Sequence, residues 1–219
     1  MGADAYAGAG AGAHEAAALE HLAVRIRACR ICVDTPKGQP LPHAPRPVLR
    51  VSTTARLAIA GQAPGNRVHA SGVPFTDPSG VRLRQWMGVT EAEFYDVARI
   101  AIVPMGFCFP GLDAKGGDRP PRAECAPAWH AALFQAMPQI ELVLAIGQYA
   151  QWWHLPGPRL PVTEAVRRFG EMPAQSGAPR CLPLPHPSWR NTGWLKANPW
   201  FEADVLPRLR AEVRALIGS

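Results

Sequence analysis

Leu57-Ala58-Ile59-Ala60-Gly61-Gln62-Ala63-Pro64-Gly65 sets a short apolar run directly against a tight turn of small residues. Four apolar residues are too few for a helix but enough for a buried strand, and the Gly and Pro that follow stop it. Three further runs have the same form, at residues 100–103, 142–146 and 181–184. Helical patterns separate them, at residues 81–87, 122–137, 148–153 and 163–169. A last pattern, over 199–216, carries Leu206, Leu209, Val213 and Leu216 on one face. Strands alternating with helices predict an α/β fold, three layers (α/β/α) with a central, mainly parallel four-stranded sheet. Ligands of such sheets bind beyond the carboxyl ends of the strands. The 61–65 turn stands at one carboxyl end, and the turn His186-Pro187-Ser188 at that of the last run. The two strands carrying these turns are expected to be neighbours, so that Phe75 and His186 share one cavity.

The rest of the chain frames this unit. Its 219 residues suit one ordinary domain, and 47% hydrophobic residues supply a core. The net charge of +6 favours a polyanionic partner. With 24 Pro and 20 Gly, long ordered loops are expected between compact elements. No apolar run approaches the roughly 18 residues of a membrane span. The N-terminus has no basic stretch followed by a long apolar one, so no secretory signal is read there. A cytoplasmic monomer without a membrane partner is the expectation, with cysteines kept reduced. Residues 1–14 are rich in Ala and Gly and read as a disordered arm. Residues 15–219 read as a single domain, opening with a helix over 15–29. Residues 33–54 hold five prolines and read as a surface loop.

Four cysteines form a pattern of their own. Cys29 and Cys32 make a CxxC pair, and Cys108 and Cys125 follow with sixteen residues between them. Four thiolates with one tight pair can hold an iron–sulfur cluster. Tetrahedral zinc fits the same ligands, and unliganded cysteines packed as small hydrophobes are the plainest alternative. Cys181, inside a strand-like run, reads as one of those.

The order GQAPG, then Ser71-Gly72-Val73-Pro74-Phe75, then the late HPS turn resembles the uracil-DNA glycosylase superfamily. With the cysteines added, the chain is most similar to the iron–sulfur family 4 branch, over roughly residues 15–215. That resemblance implies a [4Fe-4S] cluster, structural and away from the chemistry, on Cys29, Cys32, Cys108 and Cys125. It implies an enzyme that flips uracil or another deaminated base out of DNA and hydrolyses its N-glycosidic bond in base excision repair. Gly61, Gln62, Ala63, Gly65 and Phe75 would form the base pocket, with Phe75 stacked on the base. His186 would stabilise the negative charge developing on the leaving base. Ser188, Trp189, Arg190 and Asn191 would meet DNA, a side chain of the turn probing the duplex, and Arg67 and Lys196 could add phosphate contacts. A core-packed Phe75 and a His186 satisfied within its own loop are the plain alternatives.

The chain also departs from that pattern. Gln62 replaces the glutamate of GEAPG, and the acidic residue that follows it in the family aligns near Val68 and His69. Ala63 stands where family 1 enzymes keep a water-activating aspartate, and Gly65 where they keep a methyl-excluding tyrosine. Pro104 stands where family 4 keeps a uracil-reading asparagine. Asp77, His69 and Asn191 are the polar candidates left to fill these roles. A catalytically degenerate iron–sulfur DNA-binding protein of the same fold is therefore the competing function.

Overall fold

The computed structural model describes residues 4–169 and 178–218, with side chains from residue 12 onward. The strands are β1 (Leu57–Ala60), β2 (Ile100–Ile102), β3 (Leu142–Ile146) and β4 (Arg180–Leu184). They form one sheet, parallel throughout, in the order β2-β1-β3-β4. The expected three-layer architecture is thus present. The expected neighbours are not: β3 lies between β1 and β4. Turn motifs mark where strands end, but they carry no information on the lateral order, which the crossovers decide.

The helices are α1 (Asp4–Arg27), α2 (Ile31–Asp34), α3 (Asn66–Ser71), α4 (Pro78–Met87), α5 (Glu91–Tyr95) and α6 (Cys125–Gln135). They continue with α7 (Gly147–His154), α8 (Val162–Arg167), α9 (Thr192–Ala197) and α10 (Leu206–Ile217), the last entered through a π-helical turn at Phe201–Val205. Helix α1 begins at Asp4, so the Ala-rich stretch read as an arm is helical from that point. Alanine is the best helix former and favours continuing the helix that follows, against the cost of Gly8, Gly10 and Gly12. Residues 1–3 of the expected arm lie outside the described residues.

Alternation along the strands builds the layers. Leu57, Ile59, Leu142, Leu144, Ile146, Leu182 and Leu184 face one side, where Leu83, Trp86 and Met87 of α4 and Leu209 and Val213 of α10 cover them. Ala58, Ala60, Ala101, Val143 and Ala145 face the other, against Leu19 and Ile26 of α1 and Leu133 of α6. The large residues thus lie on one face and the small ones on the other, so α1 and α6 approach the sheet closely.

No helix among the described residues is long and apolar enough to cross a membrane.

This small-residue face yields a prediction. Ala145→Leu adds volume where no space exists and should destabilise the fold by about 1–3 kcal/mol. Urea denaturation should show a lower midpoint at an unchanged m-value, with no such effect from Ala→Leu on the exposed side of α1.

Candidate active site and cysteine cavity

In the order β2-β1-β3-β4 the chain leaves β1 toward one edge and later returns to β1's other side. The crevice beyond the carboxyl ends of β1 and β3 is therefore the topological switch point where such sheets bind ligands. A cavity opens there, with the 61–65 turn, Phe75, Asp77, Asp118 and His186 on its walls. Although β3 separates their strands, Phe75 and His186 do share it. Gly147, which follows β3 and opens α7, has a φ of +75°, and a Cβ there would lie 3.8 Å from His186.

Phe75 has a φ of 57°, the left-handed region that a bulky residue rarely enters, and no other non-glycine among the described residues does so. Its surroundings hold it there. The Tyr95 hydroxyl donates to the Pro74 carbonyl at 2.8 Å, and Arg84 Nη1 donates to the Phe75 carbonyl at 3.5 Å. A Cβ on Gly80 would fall 1.8 Å from that carbonyl oxygen, so α4 presses its glycine face on the bend. The ring stands edge-on to Phe94 at 5.8 Å and also lines the cavity. Packing and an open face coexist in one side chain. Backbone strain kept by its surroundings is characteristic of functional sites.

His186 is held by its own turn and by helix α4. Asn191 Nδ2 donates to the His186 carbonyl at 2.8 Å, and Arg82 Nη1 donates to the Ser188 carbonyl at 3.0 Å. The Ser188 N–H donates to His186 Nδ1 at 3.2 Å. Nδ1 is therefore an acceptor, and in the neutral ring the proton sits on Nε2, free to be donated. Burial lowers the imidazole pKa, opposed by the charges of Asp77 and Asp118. The ring is thus a neutral donor with its tautomer fixed by the backbone.

The other expected residues divide by role. Ser188 Oγ accepts from the Arg190 N–H at 3.3 Å, and the Asn191 amide is engaged as above, so both shape the turn. Trp189 is 71% exposed with Arg190 packed over it at 5.7 Å, and this pair projects from the surface. Gln62 Nε2 donates to the Arg119 carbonyl at 3.3 Å. Asp77 Oδ1 caps α4 by accepting from Gly80 N–H at 3.2 Å. His69 stays outside the cavity, its ring 4.3 Å from His43. A Cβ on Gly61 would touch the tip of Phe75 at 3.4 Å, so the missing side chain makes room for that ring.

One residue was not foreseen. Asp118 lies on a hairpin, where Leu112 and Asp118 form an antiparallel bridge, and reaches over the 61–65 turn. A Cβ on Gly65 would lie 3.5 Å from its Oδ2. The signal in the sequence was Asp113-Ala-Lys-Gly-Gly, a turn whose Asp113 carboxylate accepts from the Lys115 and Gly117 N–H groups, both at 2.8 Å.

The four cysteines gather elsewhere. Cys29, Cys32, Cys108 and Cys125 line one cavity, walled by Ile31, Phe107 and Trp129. Burial raises the Cys32 thiol pKa and pushes those of Cys108 and Cys125 up to about 12 and about 11. Among the described residues, no three His, Cys, Asp or Glu converge as ligands of a metal ion do. Cys181 packs in β4, its thiol 3.7 Å from the Pro179 carbonyl.

A switch-point cavity holding a strained aromatic and a tautomer-fixed histidine is built to grip a planar ring and donate to it. In agreement, the profile of the Uracil DNA glycosylase superfamily matches residues 50–210. The chain belongs to that superfamily, whose members are DNA glycosylases, hydrolases that act on DNA in its repair. Among solved structures it is similar to wild-type SMUG2 of Pedobacter heparinus, with 14% identity over 72% of this chain and 76% of that one and a TM-score of 0.39.

Gly80→Ala tests the Phe75 bend. The clash is with backbone, so relief requires moving α4 or residue 75, and a cost of about 3 kcal/mol is expected. Thermal denaturation should show it, while Gly193→Ala, where a Cβ meets nothing within 4 Å, should not.

Proposed function

We propose that the protein is a monofunctional DNA glycosylase that flips uracil or another deaminated base into the cavity beside Phe75 and hydrolyses its N-glycosidic bond. The observation that carries this is the Ser188 N–H bond to His186 Nδ1, which leaves Nε2–H free to donate in a ring that lines the cavity. As the bond breaks, C1′ of the sugar gains oxocarbenium character and the base takes the electron pair. A neutral Nε2–H aimed at a base oxygen stabilises that charge without first losing a proton of its own. Phe75 offers a face for stacking on the extruded base, and the strain that turns it inward is already present in the free protein. Trp189 and Arg190 project where a wedge could fill the gap left in the duplex.

Four cysteines around one apolar cavity fit a [4Fe-4S] cluster as the bound group. The same four thiolates could hold a tetrahedral zinc ion instead. Cys29 and Cys32 at α2, Cys108 after β2 and Cys125 at the start of α6 would hold the cluster. Its chemistry there is structural: a covalent tie among three segments distant in sequence. Anaerobically purified protein should be brown and hold four irons per chain. Metal analysis that finds zinc instead, or no metal, would reject the cluster.

The activity itself is tested with oligonucleotides carrying single uracil, hypoxanthine or xanthine residues, reading alkali-labile abasic sites. His186→Ala should slow single-turnover excision about a hundredfold, or about 3 kcal/mol. DNA affinity at fixed salt should barely change, since phosphate contacts dominate it. Wild-type protein that binds these duplexes and excises no base would favour the degenerate DNA-binding protein.

A further inference from the structure

We propose that Asp118, delivered by the 111–119 hairpin, is the carboxylate that activates the hydrolytic water, in place of a residue of the 61–65 turn. The inference rests on the glycosylase reading above. It begins with an unmet need: hydrolysis requires a water at C1′, and Ala63 offers no group to orient one.

Two cavities meet at this site. One is the base cavity, and the other is an open groove that runs past Gly147, Tyr149 and Asn191. Gln62, Asp118 and His186 line both. With the base in the first and the sugar–phosphate chain in the second, the bond joining base to sugar lies at their boundary. Of the three residues there, Gln62 is tied to the hairpin by its bond to the Arg119 carbonyl. His186 is the donor to the base. Asp118 is the remaining acid or base.

The hairpin is built to hold it. Asp113 N–H donates to the Gly117 carbonyl at 2.8 Å, Arg119 N–H donates to the Gly111 carbonyl at 3.0 Å, and Gly111 takes a φ of 90° that a side chain would resist. Gly65 leaves the space beside the Asp118 carboxylate open. Partial burial raises the carboxyl pKa, opposed by Arg190 and His186 and reinforced by Asp77 and Asp113, which makes it a stronger base than a free aspartate. Asp77, the other acid in the cavity, has one oxygen engaged in capping α4.

The step balances as follows. The C1′–N bond breaks and its electron pair leaves with the base, held by His186 Nε2–H. The water oxygen bonds to C1′ while its proton passes to Asp118. That proton returns to solvent or to the departing base, leaving a hemiacetal sugar and the free base.

The test compares wild type, Asp118→Asn and Asp77→Asn in single-turnover excision on the best oligonucleotide of the panel, across pH. Asp118→Asn should lose 10²–10⁴-fold in rate, with DNA affinity and melting temperature unchanged because the side chain is only partly covered and caps no helix. Wild type should slow as pH falls through the carboxyl pKa, and Asp118→Asn should lack this acid limb. Asp77→Asn should lose less and keep the limb. Three results overturn the assignment: a rate unchanged in Asp118→Asn, the larger loss in Asp77→Asn, or a variant that keeps its uracil rate and gains thymine excision, which would make Asp118 a base selector. Wild type with no excision on any substrate would instead sink the glycosylase reading, so the two failures are distinguishable.

Discussion

Strand β3 is hydrogen-bonded along both edges, to β1 and to β4, and its five residues are wholly buried. The relative placement of the two motif loops depends on that pairing. The 61–65 turn and the His186 turn never touch through their own strands, so each inherits its position from β3 between them. A one-residue slip in either pairing would turn every side chain of that strand to the opposite face. The segregation of Leu and Ile to one face and Ala to the other forbids such a slip, since it would set large residues against α1 and α6. The precision of the site is therefore a consequence of core packing far below it.

The same logic explains how the first turn can lack the acidic residues expected of it. A parallel sheet offers several loops at one edge, and a reacting group can be delivered by any of them. Gln62, Ala63 and Gly65 leave the turn without a carboxylate, but Gly65 also leaves open the volume over which the Asp118 hairpin closes. The Gln62 side chain, in turn, ties the turn to that hairpin while lining both cavities. The substitutions make sense together. Taken singly, each reads as a loss of function.

How much of this was legible depended on the range of the interaction. The four strands were legible because each is a short apolar run stopped by punctuation. That Phe75 and His186 would share a cavity was legible from the family motifs that carry them. Helix α5 was missed although Thr90 and Glu93 form a capping box, because five residues give no hydrophobic period to detect. The lateral order of β1 and β4 was misread, and Asp118 was overlooked, for one reason. Both depend on where a long crossover or hairpin returns in space, which spacing along the chain does not encode.

The segment between Pro104 and Cys108 joins the two cavities. Pro104 lines the base cavity and Cys108 the cysteine cavity. Between them, His130 Nε2 donates to the Pro104 carbonyl at 3.0 Å from α6, the helix that opens with Cys125. Burial lowers the pKa of that imidazole to about 4, and Nε2–H can donate to the carbonyl in either protonation state. A tie between Cys108 and Cys125 would thus fix α6 against the 104–108 segment at two points, one thiolate pair and one hydrogen bond. On the proposed reading, a cluster on the four cysteines would stand apart from the reacting atoms and still brace, through this segment, one wall of the cavity that Pro104 lines.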